Sequence, residues 1–589
     1  MISFEKARFV DKYRFLPKIL DRLRRIVYNN KDNVKTGKDR TTNMAKKKFP
    51  KGVFMEIPEF KTAREFIEYG HEHGGDQKQY VYMETAKTTR TKSFNEVWYD
   101  TVGLGQFLFK HGMDGKKVAI LSENSYYWII CFYSILTGNN TSIPMDAKLM
   151  DDDIIEIMVR SGCDAIYYSK DFEGTIEKMK TAEGVKISLY MKIEDFYDMI
   201  AEGHADLDAG NESYLDHPPT PDTLAAIVYT SGTTGRSKGV MLSHKNVSAS
   251  VVASLSVLQS NHAIGFLPMN HTFAWASALF SSNVMIGWGY ICRSLKDIPN
   301  DMKTYHPQNI AGVPLLVETI YKSIWRTAEK NGQADKLRKG LKLSNALRKI
   351  GIDKRRKIFK TIIDALGGEL EYLVVGGAYL DPKIEKGMSD FGIEIHTGYG
   401  TTECSPGITL STLQDHKMGS CGKPMKCCEV IIHEPDEEGV GEIWVKGDNV
   451  MVGYYDDPEA TASTFEGEWY KTGDYGRFDK DGYLFYVGRK KNLIVLSNGK
   501  NVSPEEIEDK IMITIPYVKE VVVSDEDDMI VAEFFLDEDA QPDAKERIKA
   551  DVTELNRQLP VYKRILRVKT RDTEFPKTTS LKIKRVYKD

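Results

Sequence analysis

No stretch of the 589 residues reaches the ~18 apolar positions that a membrane-crossing helix needs. The best candidate, Tyr126 to Leu136, is too short and reads as a buried element. The N-terminus lacks an apolar segment ahead of a small-residue cleavage site, so export is not expected. Cysteine is scarce: seven residues, an odd number, with no C-x-x-C pair, in a chain far too long to be a disulfide scaffold. Cys421, Cys427 and Cys428 lie close together, but no histidine pair at finger spacing accompanies them, so they read as reduced thiols rather than a zinc site. A reducing, cytoplasmic setting follows from these absences. Internal repeats are also missing.

What is present is ordinary for a packed globular protein: 41% hydrophobic and 28% charged residues, in a chain long enough for two or more domains. Net charge is -4 but unevenly spread, since residues 1–51 carry 16 Lys/Arg against 5 Asp/Glu. In this arm Phe9, Tyr13, Leu16, Leu20, Leu23 and Val27 recur at steps of three and four, with Pro17 suited to a helix start. A basic amphipathic helix of this kind can lie peripherally on an anionic membrane. The favoured reading is a packed helix followed by a solvated linker. Met44, followed by Ala-Lys-Lys-Lys, also resembles a start. Nothing in the charge pattern calls for nucleic acid.

Beyond the arm (1–57), helical patterns alternate with short apolar runs: Lys117 to Ser122, Asp164 to Ser169, Ala225 to Tyr229 and Tyr372 to Val375. That alternation predicts mostly parallel sheets of the α/β class, with ligands beyond the carboxyl ends of strands. After Leu413 the texture changes to short strands (Val430 to His433, Gly441 to Gly447) and a hairpin around Asp479-Lys-Asp-Gly482. Ser503-Pro-Glu-Glu506 is a capped helix start, followed by two strands and a helix near Ala544 to Leu559. The expected division is 1–57, 58–488 and 489–589.

Four segments carry chemistry. Tyr229-Thr-Ser-Gly-Thr-Thr-Gly-Arg-Ser-Lys-Gly239 follows a buried strand and precedes a helix near Ser243. Gly232, Gly235 and Gly239 let backbone N–H groups face an anion. Thr230, Ser231, Thr233 and Thr234 add hydroxyls and Lys238 a positive charge, which suits a polyphosphate. The spacing is not that of a standard P-loop. In Gly398-Tyr-Gly-Thr-Thr-Glu403 an aromatic between glycines can lie on a purine, and the carboxylate can hold magnesium. Tyr470-Lys-Thr-Gly-Asp474 with Arg489 can share the hydroxyls of a ribose. Pro576 to Arg585 is a terminal basic run containing Lys582.

In order and spacing these segments resemble the adenylate-forming superfamily of acyl-CoA synthetases, adenylation domains and beetle luciferase. Arg489 to Pro504 and Val313 to Tyr321 resemble its long-chain fatty acid branch. The resemblance implies a large N-terminal domain of layered αβ sheets with a small β-barrel-like part, then a small mobile α+β domain. It implies ATP and magnesium, a carboxylic acid activated as acyl-AMP, and transfer to coenzyme A. Delivery to an acyl carrier protein, or activation of an aromatic or other acid, is the alternative. By the same resemblance, the loop Thr230, Ser231, Gly232, Thr233, Thr234, Gly235 and Lys238 holds pyrophosphate, with Thr230 and Glu403 near magnesium. Tyr399, Gly400 and Thr401 meet the adenine side, Thr402 the α-phosphate, and Gly376, Gly377 and Ala378 the adenylate. Asp474 and Arg489 bind ribose, Lys491 is the hinge, and Gly499 faces the thiol channel. Lys582 is the catalytic cation, with Leu581 where the family has glycine. His271 lies beside the acyl carboxylate, and Trp275 either gates the acyl pocket or is a core aromatic.

Overall fold

The computed structural model describes residues 56–589 apart from 86, 231–236, 260–261, 295, 497–500, 528, 539–540, 577–582 and 584–589. Two sheets organise the larger part. One has seven strands, in the order Gly453–Tyr454, Lys238–Ser243, Leu224–Thr230, Thr141–Pro144, Lys117–Leu121, Ala165–Tyr168, Leu189–Lys192. The other has nine, and its six central strands, from Glu394–Gly400 to Lys78–Thr85, pair in parallel. The apolar runs expected as strands all lie in these sheets.

Period-2 alternation explains how the layers stack. In Lys117–Leu121, Val118 and Ile120 join the core between the two sheets, whereas Ala119 and Leu121 face the outer helices Asp151–Ser161 and Glu173–Thr181. In the nine-stranded sheet Ile264, Tyr290, Ile310 and Leu373 likewise pack outward, against Ile298–Tyr305 and Pro314–Lys330. The result is αβαβα layering, with the helices that carry most buried aromatics in the middle. Tyr126–Thr137, the short apolar run of the sequence, is one of these, buried all round and capped by Ser125. A helix apolar on every side can only be central.

The middle layer is tightest where Phe94–Lys110 crosses Phe196–Asp208. A Cβ on Gly203 would stand 1.8 Å from the carbonyl oxygen of Gly103. His204 Nε2 meets the Tyr99 carbonyl at 3.0 Å beside this crossing.

A five-stranded antiparallel sheet, built on Gly441–Gly447 and Trp469–Phe478, follows where the barrel-like part was expected. Its hairpin turns at Asp479–Gly482, with Gly482 at φ 80°. Residues from Ile494 onward form their own core on the strands Val518–Glu526 and Met529–Leu536 and the helices Pro504–Thr514 and Ala544–Asn556. Ser503 caps the first helix by accepting from the Glu506 N–H, as the sequence pattern requires. Among the described residues no helix is long and apolar enough to cross a membrane.

Gly203→Ala is expected to destabilise the chain by about 2–3 kcal/mol, the usual cost of overpacking. Denaturant unfolding checks this. An unchanged midpoint would mean that the crossing is looser than its geometry.

Candidate active site

One cavity of 1720 Å³ opens between the seven-stranded sheet, the nine-stranded sheet and the C-terminal part. Most of the residues singled out in the sequence meet along it.

Thr230 ends its strand opposite Lys238, whose strand runs back antiparallel to Ser243. This is a difference from expectation: the glycine-rich segment joins two paired strands, and only then does Ser243 cap the helix His244–Leu255. Ser231, Gly232, Thr233, Thr234 and Gly235 lie outside the described residues. Lys238 Nζ stands 4.7 Å from the ring centroid of Tyr454, and the Tyr454 hydroxyl donates to Glu403 Oε1 at 2.9 Å. Burial and the Glu403 carboxylate together hold the Tyr454 phenol well above its usual range, so it remains a donor. The Thr230 hydroxyl and the Glu403 carboxylate are hard oxygen donors facing one cavity, a set that fits a small hard cation such as magnesium.

Glu394–Gly400 delivers Tyr399 to the same cavity. Gly400 is a place where only glycine fits, because a Cβ would lie 2.0 Å from the Pro406 carbonyl oxygen. The Tyr399 hydroxyl donates to Asp474 Oδ2 at 2.7 Å, and its ring lies 5.9 Å from that of Tyr486. Burial, then the Asp474 charge, raises the Tyr399 phenol far above its ordinary value. Asp474 is buried and pairs across the strands with Arg489, Nε to Oδ1 2.9 Å. Burial opposes the Arg489 charge, but Asp474 and the surrounding tyrosines outweigh it. Gly376, Gly377 and Ala378 form the turn after Tyr372–Val375, Gly377 at φ 83°, and line the cavity with Thr401 and Thr402.

Lys490–Asn492 is a single 3₁₀ turn leading out of Leu484–Arg489. Lys490 Nζ bonds Glu442 Oε2 at 2.9 Å, while burial and the neighbouring Arg489 lower the pKa of Lys491. Beyond this turn Glu505, Glu508, Asp509, Val521, Val522 and Ile583 face the cavity. Lys582 and Gly499 lie outside the described residues.

Away from the charged end, the cavity follows one face of the nine-stranded sheet. Ala263, Gly265, Gly289 and Ala311 floor it, and Leu255, Leu258, Phe273, Ala276 and Met285 roof it. A Cβ on Gly265 or Gly289 would meet nothing nearer than 3.8 Å, and neither glycine has a positive φ. These glycines serve no turn and no close packing. They leave room. His271 is exposed toward the cavity at the start of Thr272–Ala274. Of the two readings of Trp275, acyl gate or core aromatic, the structure corrects the first and fits the second. Trp275 is 2% exposed, donates Nε1–H to the Met269 carbonyl at 2.8 Å, packs 4.9 Å from Phe132, and does not line the cavity. The apolar body of the indole is satisfied by core and its one donor by backbone.

Sequence reasoning missed Tyr454, Tyr486 and the small-residue floor. Tyr454 sits in a two-residue strand with no periodic signal.

The family model described as AMP-binding enzyme matches residues 69–455, and the AMP-binding enzyme C-terminal domain matches 491–587. The chain belongs to the AMP-binding enzyme family. Long-chain-fatty-acid–CoA ligase 6 of Mus musculus is 29% identical over 455 residues, 71% of this chain and 65% of that protein. The chain therefore aligns with just under two thirds of that relative's length. A long-chain-fatty-acid–CoA ligase of Mycobacterium tuberculosis is 27% identical over 457 residues, covering 74% and 75% respectively. Among solved structures, an anthranilate CoA ligase in complex with anthranoyl-AMP superposes with TM-score 0.71 at 19% identity, covering 90% of this chain and 96% of that one. The O-succinylbenzoate CoA synthetase of Bacillus subtilis in complex with ATP and magnesium gives 0.68 at 21%, covering 88% and 98%. These structures share the fold: layered αβ sheets and a small C-terminal domain.

The C-terminal part of this AMP-binding enzyme rests on the cavity against like charge. Burial, then Glu508, Glu318, Glu505 and Asp381, push the Asp509 carboxyl up to about 8. Tyr379 also faces this group. An exposed aspartate titrates near ~4. Resting Asp509 on the cavity therefore requires proton uptake between about pH 4 and 8, and the contact weakens as pH rises through that window. The radius of gyration from small-angle scattering is expected to increase toward about pH 8 in the parent and to stay flat in Asp509→Asn. Identical pH profiles would sink the assignment.

Proposed function

We propose that the chain activates a fatty acid with ATP and passes the acyl group to coenzyme A. The carboxylate attacks the α-phosphorus, the bond to pyrophosphate breaks, and acyl-AMP forms. The thiolate of coenzyme A then attacks the acyl carbonyl, and AMP leaves with the bonding electron pair. One observation carries this reading: a single cavity joins a charged, tyrosine-lined end to an apolar tunnel whose floor is made of glycine and alanine. Relatives named as long-chain fatty acid ligases support the same substrate class.

The main barrier to the first step is repulsion between a carboxylate and a polyphosphate, so fixed positive charge should supply most of the catalysis. Lys238, near the Thr230 strand end, and Lys582 in the terminal run are assigned that role. The Asp474 and Arg489 pair is assigned to ribose, with Tyr399 and Tyr486 as aromatic surfaces for adenine. Thr402 and the Gly376-Gly377-Ala378 turn are assigned to the α-phosphate region, and His271 to the acyl carboxylate. Magnesium, when bound near Thr230 and Glu403, offsets phosphate charge. The domain division 58–488 and 489–589, with Lys491 as the pivot, is part of the proposal; separate cores on either side of the Lys490–Asn492 turn support it.

Pyrophosphate exchange across acids from acetate to oleate, with aromatic acids included, tests the reading. Fatty acids are expected to drive exchange. Exchange with aromatic acids alone, or acyl transfer to a carrier protein but not to coenzyme A, would replace it. Lys582→Ala is expected to cut adenylation by about 10²–10³ while sparing thioester formation from supplied acyl-AMP. Equal loss in both steps rejects the lysine's role.

The floor makes a separate prediction. Leu at 289 fills tunnel volume, so Gly289→Leu should lower the ratio of kcat/KM for long over short fatty acids by about tenfold or more. An unchanged ratio would mean that the acyl chain runs elsewhere.

A further inference from the structure

Outside the cavity the most unusual surface is the helix Ala334–Lys349 with the turn that follows it. Its inner face is anchored: Ser344 is buried, and Asn345 and Arg348 bond the Asp390 carboxylate. At 3.6 residues per turn the opposite line runs Lys339, Leu343, Ala346 and Ile350, with Lys336 on one flank and Lys342 and Lys349 on the other. Leu343 is 56% exposed, Ile350 70% and Ile352 41%. An outward helix line normally carries polar groups, and here aliphatic side chains occupy its centre.

The lysines around them are uncompensated. Lys336, Lys339, Lys342, Lys349, Lys354 and Lys357 are exposed and form no ion pair among the described residues, although Arg338, Arg348, Lys360 and Lys386 nearby do. Between 334 and 360 there are eleven Lys/Arg against two Asp. Aliphatic residues on a line that begins at Lys339 and has further lysines along both flanks describe a helix that lies in the plane of a lipid–water boundary, aliphatic side chains down and ammonium groups reaching outward to headgroups. A nucleic acid would gain nothing from the Leu343 and Ile350 side chains.

We propose that the helix Ala334–Lys349 and the following segment 350–357 dock this protein on anionic membrane surfaces, with Leu343, Ile350 and Ile352 entering the headgroup boundary and the six unpaired lysines meeting lipid phosphates and carboxylates. This docking is independent of the proposed reaction and separate from the basic N-terminal arm.

The test is sedimentation of the full chain with sucrose-loaded vesicles of phosphatidylcholine alone, or containing about one third phosphatidylserine. The parent is expected to pellet with the anionic vesicles, less at high salt, and not with neutral ones. The Lys339→Glu, Lys342→Glu, Lys349→Glu triple variant should lose about a hundredfold in binding constant. The Leu343→Asn, Ile350→Asn double variant should lose about tenfold. Unfolding midpoints matching the parent show that both variants keep their fold. The proposal is overturned if the parent ignores anionic vesicles, or if the triple variant binds like the parent, which would assign binding to another surface. It is equally overturned if only the lysine variant loses binding, since that describes a charged face for an acidic macromolecule.

Discussion

The Asp474 carboxylate ties the nine-stranded sheet to the five-stranded sheet at the point where the chain leaves for the C-terminal part. One oxygen accepts from Tyr399, at the end of the nine-stranded sheet, and the other meets Arg489, the last residue of the five-stranded sheet before the turn into the C-terminal part. A buried carboxylate is costly unless paired and hydrogen-bonded, and here both conditions are met from separate elements. Truncating either partner would leave a buried charge uncompensated, which typically costs about 3–5 kcal/mol. The pair therefore fixes where the linker leaves the body. It also leaves the Arg489 side chain, 46% exposed, available on its cavity side.

Much of the scaffold could be read before any coordinates. Ser503-Pro504 and Glu506 specify a helix start by local hydrogen bonding alone, and the Lys117–Leu121 strand announces its two-sided burial through continuous apolar residues. What escaped was non-local. The Lys238–Ser243 strand pairs back on Leu224–Thr230, yet in sequence it follows glycines and a lysine and looks like the end of a loop. Tyr454 reaches Glu403 from 51 residues away, through a contact that no spacing rule encodes. Trp275 shows the converse. Its position left gate and core aromatic equally open, because side-chain packing decides whether a large aromatic faces a cavity or a core, and here Phe132 and the Met269 carbonyl hold it inward.

The tunnel floor was illegible for a different reason. Ala263, Gly265, Gly289 and Ala311 weaken the strand signal in short segments, because small residues contribute little β-propensity. Each strand survives because its alternate residues, Ile264, Tyr290 and Ile310, are fully committed to the opposite face. One face of the sheet supplies stability and the other is left short of side chains. Emptiness next to a well-packed face is what a ligand tunnel needs, and it costs little when neighbouring strands already satisfy the backbone.

The same division of labour explains the junction with the C-terminal part. Asp509 faces Glu318 and Asp381 across the contact and Glu505 and Glu508 on its own side, so the contact brings carboxylates together instead of opposite charges. Proton uptake by Asp509 relieves part of this repulsion below about pH 8, and none of it above. Cations gather instead along the cavity, as Lys238, Arg489 and Lys491. A polyanionic substrate in the cavity would be attracted to these cations, while the carboxylates press the two parts of the chain away from each other. On the proposed reading, with Lys491 as the pivot, closure would be favoured by a ligand and opposed by the protein alone.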